Sequence, residues 1–398
     1  MHFQHHHVFL QSALALLLLS APAFSQADAA AESGSLSLAD IYSQSSTSAQ
    51  STGIKGLQLC MDGRIGQGVQ MIRQAAEAGD TASLRNLGIC TIKGIGTEAD
   101  AAQGLRLLEK AAEAGDTRAL QSLCRAYLLL KDHRDSQKAC DYARKAAATD
   151  QGASLIYAAG LLARDEPELA FSCAEAAAGM DNGGEGKRIL ANLYFMGLGC
   201  EKSIEKTEQL FREAADQGNT LAQSGLLEIL SQHNAYDDLY AAASKYALTQ
   251  GGESSKLAMY VLARLYLNGS GNVEQNIDKA FFWVKRGAEE GHMPSQALLW
   301  KMLWEKKEYA HMYKWAREAA LQGEPGSQAM LARALYFGLG CDADSEEAIL
   351  WIRKAQQSDM TPVLNDLLNE LRLRREWGDA KATAFLAQLE QRSRIYGF

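Results

Sequence analysis

The distribution of apolar and polar positions divides this chain into three stretches. Val8 to Leu19 is apolar apart from Gln11 and Ser12. Residues 26–52 are rich in Ser, Ala, Gln and Thr, show no apolar period, and read as a flexible leader. Beyond them the chain repeats a pattern of helix, Ala pair, Gly and polar residue. It appears as Ala75-Ala76-Glu77-Ala78-Gly79-Asp80, then as Ala111-Ala112-Glu113-Ala114-Gly115-Asp116 and Ala214-Ala215-Asp216-Gln217-Gly218-Asn219. It returns around Gly291 and Gly323, with weaker copies ending at Asp150, Met180, Gly251 and Asp359. A spacing of about 35 residues predicts a solenoid of two-helix units.

The physics of each copy agrees with that reading. A Gly just past a helix takes the left-handed conformation that caps the last carbonyls, and an Ala pair lets two helices approach closely. Between the two helices of a unit, a second signal recurs. Gly94-Ile95-Gly96, Gly197-Leu198-Gly199, Gly269-Ser270-Gly271 and Gly338-Leu339-Gly340 each begin seven residues after Leu87, Leu190, Leu262 or Leu331. No strand pattern precedes these glycines, so they are turns and not a dinucleotide-binding fingerprint. Pro294, Pro325 and Pro362 fall just after repeat boundaries, where a first-turn proline costs no hydrogen bond. Pro167 is expected in an inter-helix loop.

Composition strengthens the all-α reading. Ala, Leu, Gln, Glu, Arg and Lys are abundant, and only 5 prolines occur in 398 residues. A hydrophobic share of 47% with 22% charged residues belongs to a folded chain. The formal net charge of -8 argues against a general nucleic-acid surface. Residues 1–25 carry no Asp, Glu, Lys or Arg, and the apolar run ends at Ser20-Ala21-Pro22-Ala23-Phe24-Ser25. That run is too short to span a bilayer and predicts a secretory signal peptide cleaved near Ser25. No later stretch is long and apolar enough to be a membrane span. The expected setting is therefore export to the periplasm, with full secretion as the alternative.

The repeat unit resembles the Sel-one-like repeat, a relative of the tetratricopeptide repeat with a longer inter-helix loop. The best copy carries Ala258, Leu262, Ala263, Tyr266, Gly269 and Gly271, followed by Asp278, Ala280, Trp283, Ala288, Glu289 and Gly291. The resemblance implies a right-handed α-solenoid of about nine helix-turn-helix repeats over residues 53–360. Residues 361–398 depart from the pattern and read as C-terminal capping helices, which such arrays require.

The resemblance also implies which side chains face a partner. In tetratricopeptide relatives the first helices line a concave groove, and the residue after the small Gly or Ala position points into it. That slot holds Ile89, Arg125, Asn192, Glu228, Arg264, Lys301 and Arg333; two positions before the Leu come Arg85, Gln121 and Arg188; one turn beyond the slot lie Phe195, Trp304 and Tyr336. A groove with basic rungs and aromatics suits a protein partner, in particular an acidic peptide segment, or an anionic polysaccharide. The competing account is that Arg and Lys are ordinary solvated helix residues. Trp283, Trp315 and Trp351 share one slot before the Ala pair, where packing of the second helix on the first explains them.

Seven cysteines occur, an odd number, and no CxxC. Cys124 lies at the close-packing slot of a first helix and Cys140 follows Ala139, which faces it. Either a Cys124–Cys140 disulfide or two buried thiols is compatible with that placement. His133, His233, His292 and His311 are isolated, and neither HExxH nor GxSxG occurs. The expectation is a non-enzymatic interaction scaffold of the cell envelope that needs no cofactor. The alternatives are a secreted factor engaging host proteins and a weak hydrolase.

Overall fold

The computed structural model describes residues 48–180, 182–249, 251–357 and 361–395, and every regular element among them is helical. The expected signal peptide, and the leader up to residue 47, lie outside the described residues. The chain divides into two units, one ending at Asn219 and the next beginning at Thr220.

The first unit contains five helical hairpins. They are α1 (Ser48–Met61) with α2 (Ile65–Glu77), α3 (Thr81–Lys93) with α4 (Ala101–Glu113), and α5 (Thr117–Leu129) with α6 (Ser136–Asp150). Then follow α7 (Ala153–Leu162) with α8 (Pro167–Ala178) and α9 (Glu185–Met196) with α10 (Ile204–Asp216). The first helix starts inside the stretch expected as leader. In the second unit the hairpins are α11 (Thr220–Gln232) with α12 (Tyr236–Tyr246) and α13 (Glu253–Asn268) with α14 (Ile277–Glu289). They continue as α15 (Met293–Glu305) with α16 (Tyr309–Leu321), α17 (Pro325–Phe337) with α18 (Ser345–Gln357), and α19 (Pro362–Glu376) with α20 (Ala380–Ile395).

The repeated Ala-Gly-Asp punctuation is both a stop and a start. Gly79 and Gly115 have φ of +89° and +91°, and the next residue caps the following helix. Asp80 accepts from the Ser83 N–H, and Asp116 accepts from Arg118 and Ala119. Each such cap contributes about 1 kcal/mol. Pro167 differs from expectation: it is the first residue of α8, a position where its missing N–H is harmless.

Within each unit, successive hairpins pack on one another. In the first unit Ala139, Ala143 and Ala147 of α6 and Ala170, Ala174 and Ala177 of α8 are buried, and Leu123, Leu155 and Leu162 fill the space between the layers. Burying each Leu stabilises by about 1.5–3 kcal/mol. The core at the other end of the chain joins Leu331 and Leu335 of α17 to Ile349 and Ile352 of α18, Leu364 and Leu367 of α19, and Phe385 of α20.

The G-x-G loops have a packing role that goes beyond turning. Gly199 has φ +69°, and a Cβ there would stand 2.1 Å from the Pro167 carbonyl oxygen, at the start of the preceding hairpin's second helix. Gly340 repeats this against Tyr309, the first residue of α16, with φ +77° and 2.2 Å to its carbonyl oxygen. Only a residue without a side chain permits that backbone approach.

Candidate functional site

The first helices present three classes of side chain at the positions singled out in the sequence. The first class is buried or, for Gln121, half-buried, and belongs to polar contacts between neighbouring hairpins. Arg85 on α3 reaches Asp116, the N-cap of α5, at 3.0 Å, and each side chain is only 7% exposed. Gln121 on α5 donates to Asp150 at 3.4 Å, and Asp150 in turn accepts from the Ser154 N–H at the start of α7. Arg188 on α9 donates through Nε to Glu185 at 2.9 Å, and Asn219 donates to the same carboxylate oxygen at 3.0 Å. Arg85 and Arg188 are 5% and 2% exposed. They are therefore corrected from groove rungs to inter-repeat fastenings, because each guanidinium is turned toward the polar start of a helix.

The second class is exposed. Arg125, Arg264 and Lys301 stand in solvent on α5, α13 and α15. Each rests beside an aromatic ring: Arg125 lies 5.3 Å from the Tyr157 centroid, Arg264 5.8 Å from Tyr260, and Lys301 5.5 Å from Trp300. A cation on a ring face is positioned at modest cost and stays available to a second charge.

The third class is intermediate. Arg333 on α17 pairs with Glu370 on α19. Its guanidinium also lies 5.5 Å from both the Trp304 and Phe337 centroids. Trp304 is half-buried, edge-on to Tyr309 at 5.6 Å. Phe195 is half-buried beneath the Lys202 ammonium. Tyr336 is buried in the core, 4.7 Å from the Phe385 ring, and so is corrected from groove residue to packing residue.

Two residues of the same slot carry unusual environments. Asn192 is 3% exposed, and neither atom of its amide has a hydrogen-bond partner among the described residues. Burial pushes the Glu228 carboxyl on α11 up to about 7. Elsewhere, burial pulls the His292 ring down to about 4, with Glu253 opposing and Lys256 adding to the shift, and its Nδ1 shares a hydrogen bond with Ser295 at 2.8 Å.

Glu370 opens a feature that the repeat pattern does not signal. It lies on the wall of a cleft of about 510 Å³ on the last hairpin, with Asp366, Arg374, Trp377 and Asp379. Arg374 bonds Glu370 and stacks over Phe337 at 4.8 Å, while Trp377 is 80% exposed. The signal available in the sequence is the Trp in a short polar turn. The other tryptophans differ from it: Trp351 is buried, and Trp283 and Trp315 are half-buried against their hairpins.

All seven cysteines are free thiols. Cys124, Cys140 and Cys173 share one fully buried cluster. Among the described residues no helix is long and apolar enough to cross a membrane.

Comparison with known proteins finds a family model that matches five stretches of the chain. The Sel1 repeat model matches residues 81–116, 123–148, 185–219, 256–292 and 325–355. Over 167 residues, 39% of this chain, the sequence is 26% identical to the chitin synthase regulator SKT5 of Saccharomyces cerevisiae. The matched part is 24% of the yeast protein, so the chain spans about a quarter of that curated relative. Among solved structures it is similar to c5321, a protective antigen present in uropathogenic Escherichia coli strains that displays an SLR fold. The TM-score is 0.54 at 26% identity, covering 86% of this chain and 76% of that one. A Sel1 repeat protein from Oxalobacter formigenes aligns at 24% identity with a TM-score of 0.49, over 81% of this chain and 86% of that one.

Proposed function

Taking the chain as a carrier of Sel1 repeats, we propose that it is a non-enzymatic scaffold that holds a protein partner against the first helices of its second unit. The observation that carries this reading is a register shared by successive first helices. Arg264, Lys301 and Arg333 occupy the same register on α13, α15 and α17, and Arg333 leads through Glu370 into the cleft beside Trp377. An exposed tryptophan at the edge of a cleft is a natural anchor for a partner side chain. The exposed cations supply charge for an acidic segment, with exposed pairs contributing about 0.2–1 kcal/mol each. Arg125 extends the same register in the first unit as a separate contact point.

The compartment belongs to the same proposal. The apolar run at Val8 to Leu19 supports export, and the periplasm is the favoured setting. A secreted protein acting on host proteins is the second reading, and it draws on the likeness to a protective antigen of uropathogenic strains. Osmotic-shock release supports the first and recovery from culture medium the second.

The binding claim is tested with a labelled Asp/Glu-rich peptide and the variant Arg264→Glu/Lys301→Glu. Unchanged helical circular dichroism with lost, salt-sensitive binding supports it. Equal binding by both proteins removes it. An anionic polysaccharide in place of the peptide distinguishes a protein segment from a sugar chain.

A further inference from the structure

The cations of the first-helix register give way to carboxylates at the last hairpin. Arg264, Lys301 and Arg333 stand on α13, α15 and α17, whereas α19 presents Asp366 and Glu370, the latter paired with Arg333. Asp366, Glu370, Leu373 and Trp377 follow at intervals of three or four residues, so they share one face of α19. All four line the cleft of about 510 Å³. Leu373 and Trp377 are 48% and 80% exposed, which sets an apolar ledge beside the carboxylates.

The charges on the cleft wall do not cancel. Glu370 is held by Arg333 and, at 3.1 Å, by Arg374. Asp379 lies 3.8 Å from Arg374 and accepts from the Ala382 N–H at 3.0 Å. Asp366, Glu370 and Asp379 therefore meet only Arg333 and Arg374, and the unmatched carboxylate is Asp366, which is exposed and has no ion pair among the described residues. A second unspent group lies behind the same wall. The Tyr336 hydroxyl is buried without a hydrogen-bond partner among the described residues. Burial first, then the Asp379 carboxylate, raises it above the ordinary phenol range, with Arg374 opposing and Glu370 adding. The wall is short of a positive donor on both sides.

We propose that this cleft receives an arginine side chain of the protein partner, an assignment that rests on the scaffold reading and adds a basic residue to the acidic segment. The guanidinium plane stacks on the Trp377 indole and its N–H edge pairs with Asp366, while the methylene stem covers Leu373. Residues 1–47 and 396–398 contain no Lys or Arg, so neither stretch supplies the cation, and it comes from another molecule. The partner thus matches the register in sequence: acids against Arg264 and Lys301, then an arginine at the last hairpin.

The test uses the full chain labelled with 15N and follows the indole N–H signals of its 6 tryptophans. The Trp377 signal is assigned by its loss in Trp377→Phe. N-acetyl-argininamide is titrated in, with the neutral citrulline analogue and the lysine analogue as controls. The expected result is a saturable shift of the Trp377 signal with the arginine probe, a weaker response to lysine and none to citrulline. Asp366→Asn should raise the Kd of the arginine probe by about 2- to 5-fold. An unmoved Trp377 signal overturns the proposal, as does equal binding of the citrulline or lysine analogue or an unchanged Kd in Asp366→Asn. A Trp377 signal that shifts on dilution of the protein alone assigns the cleft to a second copy of the chain, which also overturns it. The Asp/Glu-rich peptide, titrated separately, keeps the two readings apart. Peptide binding without arginine binding removes only the cleft assignment, and arginine binding without peptide binding removes only the acidic segment.

Discussion

The guanidinium of Arg85 lies 3.0 Å from the carboxylate of Asp116, which belongs to the next repeat and also caps its first helix. One carboxylate thus ends one interaction chain and begins another. Removing either partner leaves the other charge buried. We expect Arg85→Ala to lower stability by about 3 kcal/mol in urea unfolding, the lower part of the range for broken buried pairs. The Arg85→Ala/Asp116→Asn double variant should lose less than the sum of the two single changes. Additive losses would mean that the pair is not coupled.

Arg333 should behave differently from its register mates. It pairs with Glu370 and stacks between Trp304 and Phe337, whereas Arg264 and Lys301 are exposed. Arg333→Ala is expected to cost about 1–2 kcal/mol, combining a partly buried pair with ring contacts. Arg264→Ala and Lys301→Ala should each stay within about 0.5 kcal/mol of the parent. Thermal melts of the three variants make the comparison.

Two groups of the second unit give opposite pH dependences. Glu228 has its folded pKa raised to about 7. The folded state then binds the proton more tightly than the unfolded state, so its contribution is present below the unfolded value near 4.5 and is lost as pH rises through 7. Glu228→Gln should be more stable than the parent at pH 8 and show no advantage at pH 4. His292 has its folded pKa lowered to about 4. Its contribution is present above the unfolded value near 6.5 and is lost as pH falls through 4. His292→Asn should flatten the acid limb of the stability profile, and an unchanged limb would assign that limb to other groups.

The two kinds of boundary glycine should also separate. Gly323 has φ +96° with open space around it, while a Cβ at Gly340 would meet the Tyr309 carbonyl oxygen. Gly323→Ala meets only the left-handed strain of about 1–2 kcal/mol. Gly340→Ala must in addition move backbone, so its denaturation midpoint should fall further. Equal losses would show that the loop yields without cost.

The legible part of the molecule is its local grammar. Gly79-Asp80 and Gly115-Asp116 announce a helix end and a helix start within two residues, so short windows suffice to place the hairpins. The direction of Arg85 and Arg188 cannot be read that way. Their positions lie at the edge of the apolar stripe, where the same residue can face solvent or a neighbour. What decides is Asp116 or Glu185 with Asn219, and two of these three partners lie about 31 residues away in the next repeat. Tyr336 escapes a local reading for a related reason: Phe385 and Lys381, which cover it, come from the last hairpin, where the repeat pattern stops. Lys301 and Arg264 are readable because nothing distant claims them.

The close loop contacts give the array a coarser grain than its repeat length. Gly199 locks the α9–α10 hairpin to α7–α8, and Gly340 locks α17–α18 to α15–α16. Gly96 and Gly271 sit against the starts of α2 and α12, where a Cβ would first meet the side chains of Val69 and Tyr236. The α5–α6 hairpin has no such loop and is joined to its neighbours by its core and by the Arg85–Asp116 and Gln121–Asp150 contacts instead. The natural module for cutting and splicing this chain is therefore a pair of hairpins. A deletion that removes α15 to α18 as a block leaves every remaining notch filled, while one that removes α15 and α16 alone strands Gly340 without its seat.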